Sequence, residues 1–161
     1  SKPAPPKKKP PKFKRPKDLA KEITNEEWKM GQEVFHREGH CMTCHQANGK
    51  GLPKMYPPLA NSKWVTGDVD RLIKIALNGM IGPIEVQGQT YGAPGMPPMT
   101  PFRDLISKDK EMAAVLTFVR NSWGNKASKI TPEAVAKVRK EMKGNINFLT
   151  AEELLKAHPF K

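Results

Sequence analysis

The stretch "HREGHCMTCHQANGKG", residues 36–51, holds both cysteines of a 161-residue chain, and His45 directly follows the second. Cys41-Met42-Thr43-Cys44-His45 is a C-x-x-C-H motif, the pattern of covalent c-type haem attachment. The chemistry explains the spacing. Two thioethers to neighbouring vinyl groups need sulfurs about one helical turn apart, and the next histidine then sits under the iron as proximal ligand. Other readings of paired thiols fit this chain less well. A thioredoxin-like dithiol wants a βαβ setting, whereas the surroundings read as helix and loop. A zinc site wants four ligands, and only His36 and His40 stand nearby to complete a set. A Cys41–Cys44 disulfide would close too short a loop to stabilise much.

Helical signals lie on both sides of the motif. Thr24 and Glu27 form a capping box that starts a helix with Trp28, Val34 and Phe35 roughly on one face, running to Gly39. A loop-rich stretch, residues 48–64, follows. Asp68 caps a second helix, in which Leu72, Ile75, Ala76 and Gly79 are spaced for burial. The Gly- and Pro-rich segment "IGPIEVQGQTYGAPGMPPMTPF", residues 81–102, reads as irregular, apart from a weak strand signal in "PIEVQG". A third helix, in residues 108–124, carries Met112, Val115, Leu116 and Val119 as an apolar stripe. Beyond it, Thr131 and Pro132 start a fourth helix that Gly144 ends, and Thr150 with Glu153 caps a short last one.

Composition agrees with a haem protein. Hydrophobic content is only 37%, so residues 22–127 need more than their own side chains to pack around. A large apolar macrocycle would be that core, and the fold would depend on it. The iron then needs a second axial ligand, for which methionine is a usual choice. Met80, Met96 and Met99 stand in or near the loop before the third helix, and "GMPPMTPF" places two of them where no helical face needs filling.

Charge is unevenly placed. Net charge is +12, and residues 1–17 hold eight Lys/Arg, six prolines and no acid. Such a stretch cannot bury enough surface to fold alone and is biased towards extended polyproline II. Three parts follow: a Lys/Pro-rich arm or linker at 1–21, a haem domain at 22–127, and a helical extension at 128–161 that either pads the surface or docks a partner. No apolar run reaches the roughly 18 residues of a membrane span. No signal peptide is recognisable either, as expected of a mature form or an excised segment.

Four stretches, "CMTCH", "YPPLANSKW" (56–64), "GMPPMTPF" (95–102) and "KEMAAVLTFVRNSWGN" (110–125), resemble class I cytochromes c in this order, over roughly residues 24–126. The nearest likeness is to bacterial c-type domains that accompany or are fused to quinoprotein and sugar dehydrogenases. The resemblance implies an all-α class I cytochrome c fold wrapped around one covalent haem c. It casts Cys41 and Cys44 as thioether anchors, His45 as proximal ligand, and Pro57 as the carbonyl that accepts the His45 ring N–H. Trp64, Arg71, Gln89 and Tyr91 become candidates to line the haem or bind its propionates. In these relatives the distal methionine has an aromatic residue three positions on. Met99 has Phe102 there, whereas Met96 has Met99, so Met99 is the implied ligand and Met96 the alternative.

The implied function is electron transfer by a monohaem carrier in the periplasm or another extracytoplasmic bacterial space. Its partners would be redox proteins, a dehydrogenase or a terminal oxidase or reductase. With both axial positions filled, the chain alone is not expected to be an enzyme. The alternative is a haem subunit or domain of a larger dehydrogenase or respiratory complex. Nucleic acid is not an expected partner of the arm, because covalent haem attachment takes place outside the cytoplasm. An anionic membrane surface or an acidic patch on a redox partner is. The motif makes one direct prediction: acid–acetone extraction should leave the haem colour on the protein, and Cys44→Ala should impair its maturation. A freely extractable haem would defeat this reading.

Overall fold

The computed structural model describes Pro3 and residues 12–161; the remainder of the basic arm, and the readings placed on it, lie outside the described residues. Seven helices and one hairpin follow in order: α1 (Asn25–Phe35), α2 (Cys41–His45), α3 (Lys63–Thr66), α4 (Val69–Asn78), β1 (Ile84–Val86), β2 (Gln89–Tyr91), α5 (Asp109–Arg120), α6 (Pro132–Glu141) and α7 (Ala151–Ala157).

The start signals act as their chemistry dictates. Thr24 Oγ1 accepts from Glu27 N while Glu27 Oε2 accepts from Thr24 N, and Thr150 with Glu153 repeats the arrangement at α7. Asp68 caps α4, and Thr131 caps α6 with Pro132 in its first turn. Each such cap satisfies helix-terminal N–H groups that otherwise lack partners. The stop of α1 comes earlier than Gly39. His36 N and Arg37 N close the last turn on Gln32 O and Val34 O, and residues 36–40 turn the chain so that α2 begins at Cys41. The weak strand signal is real. β1 and β2 pair antiparallel, Ile84 opposite Tyr91 and Val86 opposite Gln89. Gln87 and Gly88 both have positive φ at the turn, which suits the right-handed twist of a two-residue hairpin.

α5 is the central element, with Met112, Ala113, Val115 and Val119 buried. α1 crosses it at Gly31, where a Cβ would overlap Ala114 O and the Phe118 side chain. Around the crossing, Phe118 stacks on Trp28 at 4.8 Å and on Phe35 at 5.3 Å between ring centroids. Arg37 and Glu111 bridge the end of α1 to the start of α5.

Packed chain begins before residue 22, the boundary suggested by composition. Trp28 Nε1 donates to Lys14 O at 2.7 Å, Arg15 Nη1 donates to Ile23 O at 2.6 Å, and Leu19 is buried. One apolar side chain among lysines and prolines leaves little trace in composition. Nor is the C-terminal extension mere padding: α6 packs on α4 and α5, and Val135, Val138 and Leu154 are buried. Among the described residues, no helix is long and apolar enough to cross a membrane.

The α1–α5 crossing can be tested directly. Gly31→Val should destabilise the protein by about 1–3 kcal/mol through overpacking, read from denaturant unfolding, and Gly31→Ala should cost less. Wild-type stability in Gly31→Val would show that the crossing is looser than described.

Candidate haem-binding site

A cavity of about 280 Å³ lies among α2, the turn after it, α3, α4, the hairpin, the loop before α5 and α5 itself. Its walls are the stripes that read as ordinary core in the sequence. Leu72, Ile75 and Ala76 face it from α4, and Met112, Val115, Leu116 and Val119 from α5. Amphipathic periodicity shows which face of a helix is buried, not what it is buried against.

α2 brings Cys41, Cys44 and His45 to this cavity on little more than one turn. Both cysteines are free thiols. Burial pushes the Cys41 thiol up to about 12, so it stays protonated, unlike the low-pKa thiolate of a redox-active dithiol. Among the described residues, no group of three or more His, Cys, Asp or Glu side chains is placed to hold a metal ion. The His45 ring donates from Nδ1 to Pro57 O at 2.8 Å; the carbonyl can only accept, so the proton sits on Nδ1. Burial holds His45 below its ordinary imidazole value despite that bond. The ring is therefore neutral at pH 7, with the Nε2 lone pair available for a metal. The turn that presents Pro57 is built from the motif outward: Gly51 N donates to His45 O at 3.0 Å, and Leu52 pairs with Tyr56.

The remaining expected residues divide. Trp64 and Tyr91 line the cavity, and Trp64 Nε1 donates to Glu85 O at 3.0 Å, tying α3 to the hairpin. Arg71 and Gln89 do not line it. Arg71 is buried elsewhere: its guanidinium donates to His158 O and Lys63 O and lies over both the Trp64 and the Phe160 ring. Gln89 sits at the hairpin tip beside the turn and is exposed, whereas Tyr91, two residues on, is buried. Met99 and Met80 both belong to the wall, and Met96 does not. Sequence reasoning passed over Tyr56 and weighed His40 only as a zinc ligand, yet both line the cavity. Their signal was position alone, next to Pro57 and Cys41.

The residues present fit a haem. The cavity is chiefly apolar, two thiols stand one turn apart, and a neutral imidazole is oriented by a backbone carbonyl. In addition, His40 Nε2 is buried without a hydrogen-bond partner, and such orphans call for a further group.

Fold and site together define a helix-rich carrier of covalent haem with a C-x-x-C-H helix at its centre. The chain belongs to the cytochrome c family, whose model matches residues 28–123. It is 34% identical to cytochrome c-552 of Thermus thermophilus, over 63% of this chain and 90% of that protein. It is 37% identical to the cytochrome c subunit of the quinone alcohol dehydrogenase of Gluconobacter oxydans, over 60% of this chain and 19% of the subunit. The gluconate 2-dehydrogenase cytochrome c subunit of Pantoea cypripedii is 34% identical, over 63% and 22%. The cytochrome c domain binds haem c covalently and carries electrons.

Trp64 tests the wall. Trp64→Phe removes its hydrogen bond to Glu85 O but keeps an aromatic ring, and should cost about 0.5–1.5 kcal/mol. Trp64→Ala should cost about 3–5 kcal/mol. Equal losses in denaturant unfolding would show that the ring contributes no packing.

Proposed function

We propose that the chain is a monohaem electron carrier working outside the cytoplasm, with Cys41 and Cys44 as thioether anchors, His45 as proximal ligand and Met99 as distal ligand. The observation that carries this is the His45–Pro57 hydrogen bond at a cavity whose wall also contains Met99. When bound, the haem iron supplies reversible one-electron oxidation and reduction. The protein's part is to set potential and access. The Pro57 carbonyl fixes the tautomer and rotation of the His45 ring and raises its basicity. The apolar faces of α4 and α5 exclude water, which lowers the local dielectric. Trp64 and Tyr91 close the wall beside the hairpin. With a histidine and a methionine both committed as ligands, this chain carries no catalysis of its own.

Met99 is favoured over Met96 because only Met99 reaches the wall. It is favoured over Met80 because Met99 has an aromatic residue, Phe102, three positions on, whereas Met80 has Pro83 there. The partners are redox proteins, a dehydrogenase on one side and a terminal oxidase or reductase on the other. The basic arm supplies charge that would attract an acidic patch or an anionic membrane surface. A second reading, a haem subunit or domain of a larger dehydrogenase, draws on the likeness to the alcohol and gluconate dehydrogenase subunits, of which the chain spans about a fifth. Size-exclusion chromatography together with a search for a co-purifying large subunit separates the two readings.

The ligand assignment has its own test. Met99→Ala should open the iron to carbon monoxide and abolish the weak near-infrared band of sulfur-ligated ferric haem, while Met96→Ala should leave that band in place. The reverse pattern would transfer the role to Met96.

A further inference from the structure

The C-terminal extension grips the segment that carries Met99. Met99 N donates to Met80 O at 2.8 Å, so its backbone hangs from the segment just after α4. That segment is itself paired with the extension: Leu149 N donates to Gly79 O at 3.1 Å and Ile81 N to Leu149 O at 3.0 Å. The approach is close enough that a Cβ on Gly79 would overlap Met99 O and crowd Phe148.

Two polar side chains complete the grip. Asn78, fully buried at the end of α4, donates from Nδ2 to Asn145 O and Asn147 O, both at 2.9 Å, and accepts from Arg103 Nη2 at 2.6 Å. Arg139, on α6, donates from Nη1 to Arg103 O at 2.8 Å, from Nη2 to Ile106 O, and from Nε to Asp109 Oδ1 at 2.7 Å. Two of the three hydrogen bonds of Arg139 among the described residues thus go to the chain between the Met99 loop and α5, and the third goes to the first residue of α5. Met99 itself sits in a stretch without regular structure, where proline removes backbone donors. The segment is tied to α4 by its backbone, Phe102 N donating to Ala76 O at 2.9 Å and Arg103 N to Leu77 O at 3.2 Å, and the extension adds side-chain contacts from the other side.

We infer that residues 128–161 are a brace for the distal ligand, and that Arg139 and Asn78 are positioning residues that hold the 99–106 segment and so keep the methionine on the iron. The inference rests on the assignment of Met99 as ligand. It gives the extension a task inside the carrier, setting how often the methionine departs, where the sequence offered only padding or partner docking.

The test uses the full ferric holoprotein and imidazole as an exogenous ligand. At saturating imidazole, the rate of binding reports departure of the methionine. Arg139→Ala should raise that limiting rate about tenfold, the scale of one lost charge-assisted hydrogen bond, and Arg139→Lys should recover part of the difference. Val135→Ala is the control. It removes a buried side chain of the same helix, lowers the melting temperature, and should leave the limiting rate within about twofold. The brace is overturned if Arg139→Ala leaves the rate unchanged, or if Val135→Ala raises it equally, because general loosening would then suffice. Amide hydrogen exchange at Met99 separates failure of the brace from failure of the ligand assignment. If Met99→Ala retains the near-infrared band, the assignment is wrong. Exchange then decides the brace alone: faster exchange in Arg139→Ala supports it, and unchanged exchange overturns it.

Discussion

The constraint on which the rest of this structure depends is that α4 and α5 turn their apolar faces to the haem cavity and not to each other. Protein interiors reach close packing because side chains interdigitate. Here seven side chains of two helices share a boundary with a cofactor site instead. Several features follow from that choice. The His45 ring must be oriented by something outside its own helix, and the Pro57 carbonyl does so. The segments between helices are long, because they wrap the site. They must also be fixed by specific polar contacts, since they bury little apolar surface of their own.

Those contacts come largely from side chains reaching backbone carbonyls. Arg120, buried in α5, donates to Val65 O, Gly67 O and Ser128 O, and so binds the end of α3 and the start of the extension to the central helix. Asn125 donates to Leu59 O and Val119 O and accepts from Asn61 N, linking the turn after the motif to the end of α5. Burial pushes Arg120 and Arg71 below the ordinary guanidinium value, yet both are matched chiefly by carbonyl oxygens. A guanidinium offers five donors in a rigid fork, which suits a loop-rich fold with many carbonyls to satisfy.

Much of this was legible in the sequence, and for identifiable reasons. Capping at Thr24, Asp68, Thr131 and Thr150 is local chemistry, written within three or four residues. The α4 and α5 stripes have the helical period. The C-x-x-C-H motif carries its chemistry in its spacing. What could not be read depends on partners distant in the chain. Arg71 reads as a candidate haem contact, and no local signal shows that its guanidinium donates to the backbone of His158, 87 residues away. Gln89 and Tyr91 read alike in the sequence, but Gln89 adjoins the hairpin turn and is exposed, whereas Tyr91, at the far end of β2, is buried. The extension looked peripheral because Val135 and Val138 make a modest stripe whose receiving surface, on α4 and α5, is formed by other segments. Lys14 and Arg15 looked like part of a solvated charge run, although α1 and its approach use both.

The docking of Phe160 has a practical bearing on how the protein is handled. Its ring meets that of Trp64 at 5.2 Å, edge to face, with the Arg71 guanidinium 4.5 Å from its centroid. Trp64 lines the cavity as part of its wall. Anything joined after Lys161, whether an affinity tag, a fluorophore or more polypeptide, therefore begins one residue from a ring that leans on that wall. A bulky or mobile attachment there would pull on Phe160 and, through it, on Trp64. Immobilisation on an electrode through Lys161 would place the contact beside a ring that leans on the cavity wall.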